Sequence, residues 1–222
     1  MTNETDTSTR DKLLKAAIEV FAHKGYASAT VREICGLAGT NVAAVNYHFG
    51  GKGPLYAAVL EHIFETAGAG VPYEILTFQD PSLPPEERLR TYILSYFHWV
   101  FGRKKGKEEY SNLSTIFIME MARPSEGLDE VVEKYIRPQA VILMDILKDI
   151  LGPDTPEPVL RACTASVVGQ ILHYCLVRPI SVRLFTNYPD VQDVLEDLAG
   201  HVTRFSLGGL KAMKKTLSSS AD

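Results

Sequence analysis

Cysteine occurs only three times in this chain, at Cys35, Cys163 and Cys175. The number is odd and the spacing is not that of metal ligands, which favours buried apolar thiols over a redox role. No apolar run approaches the roughly 20 residues that cross a bilayer. The opening stretch from Met1 to Thr9 is polar and lacks the hydrophobic region of a signal peptide. The expectation is therefore a cytoplasmic chain without membrane contact. There is no strand-like alternation, no internal repeat, no P-loop, no G-x-G-x-x-G and no H-E-x-x-H. His98, His173, Cys175 and Glu120 are reactive types, but no nucleophile–base arrangement is visible among them. No catalytic residue, cofactor or metal is expected, and the reading is not an enzyme.

An excess of positive charge is also missing, since 23 Lys and Arg stand against 27 Asp and Glu, for a net charge of −4. Over residues 1–55 the sign reverses weakly. Arg10, Lys12, Lys15, Lys24, Arg32 and Lys52 outnumber Glu4, Asp6, Asp11, Glu19 and Glu33 by one, which leaves −5 on the remainder. Any affinity for phosphates is modest per subunit, and pairing two subunits doubles the contacts.

What is present is helical periodicity, which points to an all-α protein of about nine helices. Leu13, Leu14, Ala17, Ile18 and Phe21 give an inner face to a helix from Thr9 to Lys24, stopped by Gly25. Helices of residues 30–52 follow, then one that starts near Pro54 and ends by Gly68-Ala69-Gly70, and a Gly/Pro-rich loop over 68–86. Leu89, Tyr92, Ile93, Tyr96, Phe97, Val100 and Phe101 form the cleanest stripe. After a charged loop over 103–109, helices are expected at 111–122, at 128–151 with a kink at Pro138, at 159–177 and from Val191 past Phe205. The helix at 159–177 is apolar nearly all round and reads as central. The expected boundaries are a disordered leader over 1–9, an N-terminal domain over 10–53, a helical C-terminal domain over 54–216, and a disordered tail over 217–222.

Residues 30–52 carry the functional signal. Thr30 and Glu33 make a T-x-x-E capping box. Ala38-Gly39 supplies a small-residue turn, and Asn41 caps a second helix over Val42–Tyr47. The small side chains of that helix's first turn allow its backbone to approach base edges in a major groove. Asn41, Val42, Ala43 and Asn46 would face bases, with Asn46 suited to adenine. Thr30, Arg32, Tyr47, His48 and Lys52 would hold phosphates.

The run Ala38-Gly39-Thr40-Asn41-Val42-Ala43-Ala44-Val45-Asn46-Tyr47-His48-Phe49-Gly50-Gly51-Lys52, with Leu55 after it, resembles the N-terminal signature of TetR-family transcriptional regulators. Leu14, Ala17, Phe21 and Gly25-Tyr26 match the family's first helix. Thr40-Asn41, Ala43 and Val45-Asn46 depart from the usual Val-Ser, Gly and Leu-Tyr. That version, with Asn112-Leu113-Ser114, Ile116-Phe117-Ile118, Tyr135-Ile136, Pro138 and the weaker Gly169-Gln170-Ile171-Leu172, is similar to the CecR-like branch. The resemblance implies a homodimeric repressor of double-stranded operator DNA, released by a small-molecule effector in the C-terminal helices. The branch also implies regulation of transport or of sensitivity to toxic compounds.

Tyr96, Phe97, Phe117, Glu120, Met121, His173, Tyr174 and Arg178 are the expected lining for an effector that is partly aromatic or apolar. Arg178 needs an anion, and Glu120 is the protein candidate. His173 reads as a satisfied buried histidine. The last two long helices from each chain would pack across a two-fold axis. A helical small-molecule-binding protein without specific DNA recognition is the alternative.

Overall fold

The computed structural model describes residues 2–68, 71, 73–102 and 107–219. Among them there are helices and no strand. The chain divides into two compact units, Met1–Thr66 with Lys104–Ile136, and Ala67–Arg103 with Arg137–Asp222. The division runs elsewhere than the expected cut after residue 53.

In the first unit, α1 (Thr2–Ser28) packs on α2 (Val31–Ala38), α3 (Val42–Phe49) and α6 (Lys107–Ala122). Leu13, Ala17, Ile18 and Phe21 are buried along its inner face. Burying a Leu or Phe side chain contributes about 1.5–3 kcal/mol. Helix α1 begins at Thr2, where a leader without order was expected. Gly25, at φ 72 and ψ 165, ends the first helical run where the sequence puts its stop, and a short second helical stretch continues to Ser28. Helix α4 (Lys52–Gly68) buries Leu55, Tyr56, Val59, Leu60, Ile63 and Phe64.

One turn, α7 (Leu128–Val131), and a π-helical turn (Val132–Ile136) complete this unit. The expected kink at Pro138 takes that form. Proline lacks the N–H that a continuous ladder needs, and the wide turn precedes it. The charged stretch expected as a loop ends at α6, which opens at Lys107. Residues 103–106 lie outside the described residues.

In the second unit, a 3-10 helix (Tyr73–Gln79) packs on α5 (Pro85–Phe101), which also packs on α8 (Arg137–Leu151), α9 (Glu157–Leu176) and α11 (Leu195–Ser219). The stripe on α5 is where its spacing puts it, with Leu89, Tyr92, Ile93, Phe97 and Phe101 in the core and Tyr96 and Val100 at its edge. Arg88 ties the 3-10 segment to α8, donating from Nε to the Phe78 carbonyl at 3.0 Å and from Nη1 to Asp149 at 2.7 Å.

Helix α9 is not enclosed. Leu160, Cys163, Val167 and Ile171 are buried, whereas Ala162, Ala165, Ser166, Gly169, His173 and Leu176 are exposed. Its apolarity also gives it the length and composition of a membrane span, contrary to the reading that nothing approaches one. A short α10 (Arg178–Leu184) and a 3-10 turn (Val191–Asp193) precede α11. On α11 Leu195 and Val202 are buried, and Phe205 is 67% exposed. Helix α11 runs to Ser219, across part of the expected disordered tail, and residues 220–222 lie outside the described residues.

Candidate nucleic-acid interface and effector-binding residues

The turn between α2 and α3 is fixed by contacts a few residues apart. The Glu33 N–H donates to Thr30 Oγ1 at 3.3 Å, and the Thr30 N–H donates to Glu33 Oε2 at 3.0 Å, closing the capping box. Gly39 takes the left-handed φ of 66 that ends α2, and Asn41 Oδ1 accepts from the Ala44 N–H at 3.0 Å to start α3. Glu33 also pairs with Lys24. That ion pair first, then the hydrogen bonds from Thr30, lower the Glu33 carboxyl to about 2.

Helix α3 buries only Val45 and presents Val42, Ala43, Asn46 and Tyr47 to solvent, with Tyr47 77% exposed. Asn41, Thr30 and Arg32 are exposed beside them. Three of the expected phosphate-holding residues have other engagements. Thr30 is occupied with Glu33, His48 is half-buried with its ring 5.0 Å from that of Tyr47, and Lys52 is turned inward. Lys52 Nζ lies 4.7 Å over the Tyr26 ring and donates to the Ala27 carbonyl at 3.3 Å. Arg10, not singled out from sequence, stacks its guanidinium 5.1 Å from the Phe49 ring at the end of α3. In the turn, Thr40 Oγ1 is buried without a hydrogen-bond partner.

The expected effector set divides. Phe117, Glu120 and Met121 belong to the first unit, and Tyr96, Phe97, His173, Tyr174 and Arg178 to the second. Phe117 lies 6.3 Å from Phe64, and Met121 is exposed. The expected partners Glu120 and Arg178 belong to different units, and each bonds within its own, Glu120 to Tyr56 and Arg178 to Asp190. Arg178 donates to Asp190 and to the Pro189 carbonyl, each at 3.2 Å, since the loop after α10 brings that acid close. His173 is exposed, not buried, because it falls on the outer face of α9.

In the second unit an aromatic run joins Tyr92 to Tyr96 at 6.1 Å and Tyr96 to Trp99 at 5.7 Å, while Phe97 and Tyr174 stand 5.8 Å apart. Burial pushes the Tyr96 phenol up to about 12, so it stays neutral. The first unit holds an open cleft of about 1050 Å³ between the end of α1, the start of α4 and the α6–α7 turn. Periodicity gave no sign of it, because its walls come from three stretches far apart in sequence.

A capped helix-turn-helix with a solvent-facing second helix, carried by an all-α chain, defines a helix-turn-helix DNA-binding protein. Residues 13–59 match the family described as bacterial regulatory proteins, tetR family. Residues 85–210 match the HTH-type transcriptional dual regulator CecR, C-terminal domain. The chain belongs to the TetR family of bacterial transcriptional regulators, within the group that shares the CecR C-terminal domain.

Among similar proteins, the HTH-type transcriptional repressor NicS of Pseudomonas putida is 35% identical over 89 residues, 40% of this chain and 42% of NicS. The chain thus spans less than half of that relative. The dual regulator CecR of Shigella flexneri is 29% identical over 75% of each chain. The crystal structure of FadR from Bacillus subtilis in complex with stearoyl-CoA matches in fold, with a TM-score of 0.59, 19% identity and coverage of 89% of this chain and 97% of that one.

Proposed function

We propose that the protein is a cytoplasmic, homodimeric repressor that binds a two-fold operator in double-stranded DNA and leaves it when a small molecule occupies the C-terminal helices. The observation that carries the reading is the outer face of α3. Val42, Ala43, Asn46 and Tyr47 face solvent, yet they are held beside a doubly capped turn. Asn46 is the residue suited to read a base edge. Asn41, Val42 and Ala43 face the bases beside it, and the exposed Arg32 and Tyr47 hold phosphates.

The outer faces of α9 and α11 are the proposed dimer surface. Gly169, Gly208 and Gly209 would each meet nothing if a Cβ were added, so intrachain packing does not explain them. A helical Gly costs about 0.5–1 kcal/mol relative to Ala. Close approach of a second copy accounts for that cost.

The effector is a partly aromatic or apolar compound bound beside Tyr96, Phe97 and Tyr174, next to Trp99. It must favour the DNA-free arrangement, because a ligand of equal affinity for both shifts nothing. Trp99 is the chain's single tryptophan, so its emission reports on that site. With stearoyl-CoA as the first probe, the expected result is a saturable change in Trp99 emission together with release of operator DNA. Release without any change at Trp99 places the effector elsewhere.

A further inference from the structure

Building on the operator-binding reading, we propose that Tyr56 and Glu120 form a polar latch that positions the recognition helix α3, so that specific DNA affinity depends on a buried hydrogen bond far from any base. Glu120 is 2% exposed. Among the described residues, no cation pairs with its carboxylate. Oε2 accepts from the Tyr56 hydroxyl at 2.9 Å, and Oε1 accepts from the Ser125 N–H and Oγ, each at 2.8 Å. A carboxylate in such a place is costly, and an apolar side chain of similar size commonly serves stability as well or better. Stability alone is therefore a poor reason for it, and a role in fixing geometry is a better one.

The latch leads to the DNA-facing helix through packed groups inside one compact unit. Glu120 lies in the last turn of α6, and Tyr56 lies on α4. The Tyr56 ring meets Phe21 at 4.9 Å and Tyr26 at 4.7 Å, both on α1. Tyr26 carries the Lys52 ammonium over its ring. Lys52 opens α4 directly after Gly50 and Gly51, which end α3. A shift of the α6–α7 turn is thus passed through Tyr56 and Tyr26 to the base of α3. Tyr56 and Ser125 also line the open cleft, so the carboxylate has water within reach when the latch opens.

The test uses the full chain and a duplex that the wild-type protein binds specifically, with a scrambled duplex as control. Tyr56→Phe removes one hydroxyl and keeps the ring, Glu120→Gln keeps the shape, and the double variant combines them. Below the melting transition, each single variant is expected to lose about tenfold in operator affinity, the scale of one hydrogen bond to a charged group. Binding to the scrambled duplex should be unchanged. The double variant should lose no more than the worse single one, the mark of a shared interaction. If Glu120→Gln does not fold, Tyr56→Phe decides alone. Variants that melt earlier but bind operator with wild-type affinity while folded would overturn the latch and leave Glu120 a structural residue. A wild-type protein that prefers no duplex overturns the operator-binding reading itself, and that result appears before any variant is made.

Discussion

Single residues of the head do separable jobs. Glu33 holds a turn together through Lys24 and Thr30 and faces solvent. Its folded value is lowered from 4.5 to about 2. A depressed carboxyl contributes stability above its unfolded value and loses it as pH falls through the folded one. Melting temperature should therefore decline more steeply between about pH 4.5 and 2 in the wild type than in Glu33→Gln. Parallel curves would remove the role given to this pair. Asn46 and Tyr47 are exposed and make no contribution to the core. Replacing both with Ala should leave melting within about 0.5 kcal/mol of wild type. The same change should cost at least about tenfold in operator affinity, since a good base contact is worth about 1–3 kcal/mol. Titration of the duplex alongside thermal melts checks both halves.

Elements differ in how openly they are written in the chain. The Thr30–Glu33 box and the Asn41 cap were legible because each joins residues three apart. The α5 stripe was legible because one helix face meets one core. The Tyr56–Glu120 hydrogen bond was not, because it spans 64 positions and no local pattern announces its partner. Arg178 was matched to the wrong acid for the opposite reason. Asp190, twelve residues on, is brought in by a short loop that periodicity does not describe. Helix α9 was misread as enclosed because apolar residues on all sides do not say whether the second face meets this chain or another.

That face gives a sharp prediction. Gly169→Leu adds a side chain where nothing stands within 4 Å. The isolated subunit should be as stable or more so, by up to about 1 kcal/mol. The dimer should be lost, as light scattering would register. A dimer that survives this change, and survives Phe205→Glu on α11, does not form through these helices.

At the scale of the molecule, the two compact units have different burdens. The first carries the DNA-facing helix and the buried carboxylate, and the second carries the aromatic run and the proposed dimer faces. Both conditions of the proposed function, two heads and an effector that distinguishes two arrangements, lie beyond one chain. The modest positive balance of the head predicts a dependence on its partner, because phosphate contacts double in the dimer. The most direct measurement is fluorescence anisotropy of the purified protein on DNA from upstream of its own gene, across salt concentrations, against a scrambled duplex. The account predicts specific binding of two subunits per site with a steep loss of affinity as salt rises. Equal, weak binding to both duplexes, repeated with duplexes recovered by genome-wide selection, would contradict it and leave a helical small-molecule-binding protein.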